Sequence, residues 1–148
     1  DAAFTLKMLA EMFDLPLSTE MLKSYAARLG SDVPFFIENK PVFATGRGEI
    51  MSDIALDLSD HEIRIIKPDV SVSTKEAYAG VTPHLPEVDL QQAAKLPITQ
   101  WKDSIHNDFE DSIFKTHPQL ACIKRQMYDE GAIYASMTGS GTAVYGIF

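Results

Sequence analysis

The sequence predicts an α+β fold, and three observations carry the prediction. Apolar residues repeat at helical spacing over 2–13 and again over 18–29. "HEIRIIKP", residues 61–68, is a β-branched, strand-like run in the middle of the chain. Two further strand-like runs, "AIYASM" and "TAVYGIF", close it after two helical patterns. With 148 residues there is room for one ordinary domain or for parts of two.

Over 2–13, Ala2, Leu6, Leu9 and Phe13 share one face, while Phe4, Met8 and Met12 share a second. A helix apolar on two sides is expected to be buried on two sides. No strand or cap precedes it, so sequence upstream of Asp1 is expected. Pro16 ends this helix and Ser18 is placed to cap the next, with Glu20 in its first turn, where the helix dipole favours a carboxylate. Leu22, Tyr25, Ala26 and Leu29 form the apolar face of that helix, and Gly30 is its C′ stop. A short strand at 41–45, the turn "TGRGE" (45–49) and the strand at 61–68 follow. The polar stretch "LDLSD" just before that strand marks a domain boundary, giving regions 1–59 and 60–148.

The second region reads as mixed. Residues 74–80 form a short helix capped by Ser73 or Thr74, and 81–103 is loop with one helical piece at 89–95. Asn107 followed by Glu110 resembles a capping box for a helix carrying Phe109, Ile113 and Phe114. Pro118 opens a further helix with Leu120, Ile123 and Met127 inward, stopped by Gly131. The final two strands flank "TGSG", and the last of them is cut off at Phe148, which again implies sequence beyond it.

Composition narrows the function classes. The 45% hydrophobic and 23% charged content is that of a soluble globular protein. No apolar run approaches the ~20 residues of a membrane helix, and the N-terminus lacks a signal-peptide pattern. The single Cys122 excludes an intramolecular disulfide and suits a reducing, cytoplasmic setting. His61, His84, His106 and His117 lie far apart, so no structural zinc site and no metal ligand are predicted. A net charge of −8 and a pI of about 4.8 argue against a nucleic-acid partner, which would want a basic stripe. Free nucleotides stay open, because backbone N–H groups and a metal can hold phosphates without a cluster of Lys and Arg.

Three stretches are candidates for chemistry, each with a plainer alternative. In "RLGSDVPFFI" (28–37), Asp32 stands at the mouth of an apolar run. A half-buried carboxylate against a rigid Pro-aromatic wall suits a functional group; a cap for a short helix starting at Val33–Pro34 is the plainer reading. In "VSVSTKEAY" (70–78), Tyr78 is either core packing or an aromatic face for a planar ligand. In "TGSGT" (138–142), Gly139 and Gly141 permit positive φ and close backbone approach to a phosphate, or else build an ordinary hairpin turn. It is not a Walker loop, since no Gly-Lys-Ser/Thr follows.

Order and spacing add to these single signals. A "DAAF" helix start, "LGSDVPFF", "GRGE", "KPDVSVSTKEAY", "NDFE" and "MTGSGTAVYGIF" succeed one another as in the cytidylyl-substrate kinases of the GHMP kinase superfamily. The chain resembles that family over essentially its whole length. The resemblance implies a two-domain fold, with 1–59 the latter part of an N-terminal, ATP-binding domain and 60–148 an incomplete, ferredoxin-like C-terminal domain. It implies ATP and Mg²⁺ as cofactors, and phosphorylation of the 2-hydroxyl of a cytidine diphosphate-linked methylerythritol in non-mevalonate isoprenoid biosynthesis. By the same resemblance Asp32 matches the catalytic base, and Thr74 and Tyr78 match cytidine-pocket positions. Gly139, Ser140 and Gly141 match a loop packed beside the phosphate loop. The family usually has Ala where Ser31 stands, and Ser where Thr138 or Thr142 stands. Its Gly-Gly-Gly-Ser-Ser phosphate loop and active-site lysine would lie upstream of Asp1, so the isolated chain is expected to be inactive. Homoserine- or mevalonate-type kinases and a non-catalytic nucleotide-binding module are the alternatives, and a homodimer is left open.

Overall fold

The computed structural model describes residues 1–85 and 88–148. The chain divides into two compact units, Asp1–Leu56 and Asp57–Phe148.

The first unit begins with α1 (Ala2–Met12), α2 (Thr19–Leu29) and the short α3 (Phe35–Glu38). Ser18 caps α2 as its position predicts, its Oγ accepting from the Met21 N–H at 3.2 Å. Gly30 ends that helix in extended backbone (φ 166°) rather than in the left-handed form expected of a C′ glycine. What it supplies is room, because a Cβ there would lie 3.3 Å from Val33 Cγ2. Ala3, Ala26 and Ile37 make a small core, with Leu6, Leu22 and Val33 against it. Only this side of α1 is covered. Phe4, Met8, Met12 and Phe13 are exposed, so the expectation of a helix buried on two sides fails. The physical reason is supply: the unit packs one layer of apolar side chains against the Ala3–Leu6 side and none against the other.

A hairpin completes the unit. β1 (Val42–Thr45) pairs antiparallel with β2 (Ile50–Asp53), Val42 opposite Asp53 and Thr45 opposite Ile50. The "TGRGE" turn joins them. The sequence pattern showed the first strand but not the second.

In the second unit a three-stranded antiparallel sheet runs in the order β3 (Ile63–Ile66), β5 (Val144–Ile147), β4 (Tyr134–Met137). Ile147 is the shared rung, opposite Ile63 on one side and Tyr134 on the other. Helices α4 (Thr74–Ala79), α5 (Leu90–Ala93) and α6 (Trp101–Ser104) precede the longer α7 (Glu110–Thr116) and α8 (Pro118–Asp129). Helix α6 corrects the expectation of loop there. Its Trp101 is buried edge-on to Tyr134, and its Nε1–H donates to the Leu96 carbonyl at 3.0 Å, so tertiary packing fixes a segment with weak local signals. Ile113, Leu120, Met127, Met137 and Val144 form the centre of the core. Among the described residues no helix is long and apolar enough to cross a membrane.

Candidate active site

Asp32 sits in the turn between α2 and α3, and its carboxylate is exposed rather than half-buried. It does not cap α3 either: Pro34 occupies the cap position and no side chain caps that helix. Both sequence expectations for its surroundings therefore fail, because the chain turns through 31–34 before the helix starts and leaves the side chain outside. Of the expected Pro-aromatic wall, Pro34 is buried, but Phe35 is half-buried and Phe36 exposed. Among the described residues, the only hydrogen bond to the Asp32 carboxylate comes from Ser31 Oγ at 3.2 Å. Gly48 of the "TGRGE" turn was not singled out in the sequence, yet it lies against this carboxylate. Its φ is +100°, and a Cβ there would stand 3.2 Å from Asp32 Oδ1. A side chain at 48 would be strained and would crowd the Asp32 carboxylate. The two glycines of "GRG" were the available signal.

In the second unit, the Ser73 hydroxyl accepts from the Glu76 N–H at 3.1 Å and starts α4 with Thr74 as its first residue, exposed. Ala77 enters the core, which turns Tyr78 outward: it is 66% exposed. The Tyr78 ring rests edge-on against Phe109, centroids 5.0 Å apart. That geometry removes the core-packing reading of Tyr78 and leaves an aromatic surface held in place by a second ring. Gly80 closes α4 where a Cβ would come within 2.6 Å of Ser112 on α7, so the two helices meet with no spare room.

The hairpin loop at 138–142 joins this group. Thr142 Oγ1 donates to the Val70 carbonyl at 2.8 Å, tying the loop to the segment that leads into α4. Its two glycines differ. Gly141 (φ +94°) is packed, and a Cβ there would meet Met137 Sδ at 3.0 Å. Gly139 (φ +50°) faces open space, with nothing within 4 Å of such a Cβ. Thr74, Tyr78 and the loop thus belong to one unit and Asp32 to the other.

The expected capping box is absent. Asn107 Oδ1 accepts from the Phe109 N–H at 3.0 Å, but Glu110 does not reach back to Asn107. Instead Glu110 is buried, 3% exposed, and its Oε1 accepts from the Met137 N–H (2.7 Å) and from Ser136 Oγ (3.1 Å). Its Oε2 pairs with Lys124 Nζ at 2.5 Å. A buried carboxylate needs such partners, and strand β4 offers better ones than the helix start. Nearby, burial pushes the Tyr134 hydroxyl well above the ordinary phenol range, so it serves as a donor, here to the Ile105 carbonyl. Among the described residues no group of three or more His, Cys, Asp and Glu side chains is gathered to hold a metal.

Residues 91–148, which carry this loop, match the family GHMP kinases C terminal. The chain as a whole is homologous to curated proteins named 4-diphosphocytidyl-2-C-methyl-D-erythritol kinase. One from Bacteroides thetaiotaomicron is 54% identical over 148 residues, which is 100% of this chain and 54% of that protein. One from Parabacteroides distasonis is 46% identical, covering 100% of this chain and 55% of that protein. The chain thus spans about half the length of the curated relatives it matches. A crystal structure of 4-(cytidine 5'-diphospho)-2C-methyl-D-erythritol kinase superposes with a TM-score of 0.82 at 26% identity, over 99% of this chain and 53% of that one. The matched residues 91–148 include β4, β5 and the glycine-rich loop between them, together with Asn107 and Glu110.

Proposed function

We propose that this chain is part of an ATP-dependent small-molecule kinase that phosphorylates the 2-hydroxyl of 4-diphosphocytidyl-2-C-methyl-D-erythritol. On this reading residues 1–59 are the latter part of the ATP-binding domain and 60–148 most of the C-terminal domain. The observation that carries it is the free carboxylate of Asp32 beside Gly48, in a chain homologous over its whole length to enzymes of that name. Asp32 accepts the hydroxyl proton as the substrate oxygen bonds to the γ-phosphorus, and the bond to the β–γ bridging oxygen breaks. Phosphoryl transfer through a loose transition state asks for positioning and charge stabilisation, and one aligned carboxylate suffices as base.

Thr74 and the exposed ring of Tyr78 are assigned to the cytidine end, where stacking on an aromatic ring contributes ~1–3 kcal/mol per base. The backbone of Gly139, Ser140 and Gly141 is assigned to the phosphates, and the open space at Gly139 fits that use. Mg²⁺ would neutralise charge on the β- and γ-oxygens when bound. The described residues gather no ligand set for it, so none of them is assigned as its ligand.

The test is an assay of the full gene product containing this chain, with ATP, Mg²⁺ and the cytidylyl substrate, and with homoserine and mevalonate as competing acceptors. Phosphate transfer to the cytidylyl substrate alone is expected. Transfer to either competitor in its place, or none at all, would overturn the assignment.

A further inference from the structure

Met137 is the last residue of β4, and β4 is an edge of its sheet. Past that edge there is no fourth strand among the described residues, yet both Met137 backbone groups are satisfied. Its N–H donates to Glu110 Oε1 at 2.7 Å, and its carbonyl accepts from Asn107 Nδ2 at 2.8 Å. Glu110, the first residue of α7, and Asn107, just before that helix, thus make the pair of hydrogen bonds a neighbouring strand would make. Asn107 Nδ2 then reaches one step further and donates to the Gly139 carbonyl at 3.0 Å.

The orientation of this amide is over-determined. Its nitrogen faces two carbonyls, which only a donor can do, and its oxygen faces the Phe109 N–H. Glu110 is held as firmly, by Ser136 Oγ and Lys124 as well as by Met137. The consequence lies in the loop. The peptide joining Gly139 to Ser140 is planar and trans, so fixing its carbonyl on Asn107 fixes the Ser140 N–H pointing the opposite way. Among the described residues that N–H has no protein acceptor. It stands next to Gly139, where the loop faces open space.

We propose that Asn107, braced by the Glu110–Lys124 pair, is a positioning residue that aims the Ser140 backbone N–H at a phosphate oxygen of the bound nucleotide. The proposal rests on the kinase reading above and adds to it a residue that touches neither substrate. Backbone donors fixed in advance stabilise developing charge without reorganising, which is the reason to spend a buried ion pair behind a loop.

Asn107→Asp in the full gene product is the direct test, because it keeps the shape and the acceptor for Phe109 but sets oxygen against the two carbonyls. Asn107→Ala serves as the second variant. Steady-state kinetics and amide hydrogen exchange are measured well below the melting temperature. The nucleotide KM is expected to rise about ten-fold or more, as for loss of one hydrogen bond to a charged group. The KM for the cytidylyl substrate should stay within about two-fold, and exchange should accelerate at 138–142 while α8 keeps its protection. Unchanged nucleotide KM in both variants overturns the proposal, and so does faster exchange spread through α8, which would mark a merely structural role. A wild-type protein that does not phosphorylate the cytidylyl substrate is a different result: it overturns the kinase reading itself.

Discussion

The two units solve opposite problems with their charges. In Asp1–Leu56 the buried apolar residues are small or few, Ala3, Ala26 and Ile37, while Phe4 and Met12 lie 61% and 64% exposed. Its carboxylates stay at the surface, and Asp32 is left almost bare. In Asp57–Phe148 the core closes around Leu120, Met127 and Met137, and one carboxylate, Glu110, is taken inside and fully partnered. A bare carboxylate is available as a base and contributes little to folding. A buried, paired one contributes shape and is unavailable for proton transfer. On the proposed function, chemistry and scaffold divide between two acidic residues that look alike in the sequence, and each substitution below tests that division.

The largest effect is expected at Asp32. Asp32→Asn should lower kcat of the full gene product by roughly 10²–10⁴, the usual range for losing a general base. The melting temperature should not move, since among the described residues the only hydrogen bond at stake is with Ser31. Near-normal kcat would erase the contrast by making Asp32 an ordinary surface residue.

Glu110→Ala should do the reverse. It strips the Met137 N–H and Ser136 Oγ of their acceptor and leaves Lys124 without its partner. Breaking a buried pair from one side costs about 3–5 kcal/mol, and the low end applies because water can reach the partly exposed Lys124. Denaturant unfolding of wild type and variant measures it. A cost below about 1 kcal/mol would place Glu110 among surface carboxylates instead.

How far the sequence reaches depends on the range of the forces involved. Ser18 and Ser73 were legible as caps because their partners lie three residues away. The β4–β5 hairpin was legible because two strand-like runs flank a glycine-rich turn. Strand β2 was not, since "IMSD" becomes a strand only by pairing with β1 across the "TGRGE" turn. Glu110 was misread for the same reason: its true partners are 26, 27 and 14 residues distant, while the capping box it mimics is local. The exposed placing of Asp32 was equally hidden, because an apolar run says that something is buried but not which neighbour stays out. Tyr78 was ambiguous until Ala77, one residue before it, was found to take the inward place.

Tyr78→Ala sharpens the comparison within the second unit, between a surface for a ligand and a core for stability. Binding of the cytidylyl substrate should weaken by about 1–3 kcal/mol while nucleotide affinity holds, measured by titration calorimetry on the full gene product. The stability change should be small, because the ring is largely exposed and loses one edge contact with Phe109. Equal weakening for both ligands would sink the assignment of Tyr78 to the cytosine.

The smallest effect belongs to the surface charges that help hold the first unit together. Lys23 pairs with Glu38 at the end of α3, and Lys40 bridges Glu38 (3.3 Å) to Asp53 (3.0 Å) at the end of β2. Hydrogen bonds from Lys23 first and Lys40 second hold the Glu38 carboxyl below the ordinary glutamate range. The sign follows from that depression. The folded state binds this proton less readily than the unfolded chain does, so the contribution is fully present above the unfolded value. It starts to fade as pH falls to ~4.3, the ordinary glutamate value, and is gone below the folded one. Lys23 is shifted upward by the same Glu38 hydrogen bond, so the pair is intact at neutral pH. The Lys23, Glu38 and Lys40 side chains are 31–42% exposed, and salt screens such pairs, so the gain is slight. Thermal unfolding of wild type and Glu38→Gln should therefore differ a little at pH 7 and converge as the pH approaches 3, and 0.5 M salt should narrow the pH 7 gap. A difference that stays constant through that range would mean Glu38 acts by packing rather than by charge, and the first unit would owe nothing to its surface network.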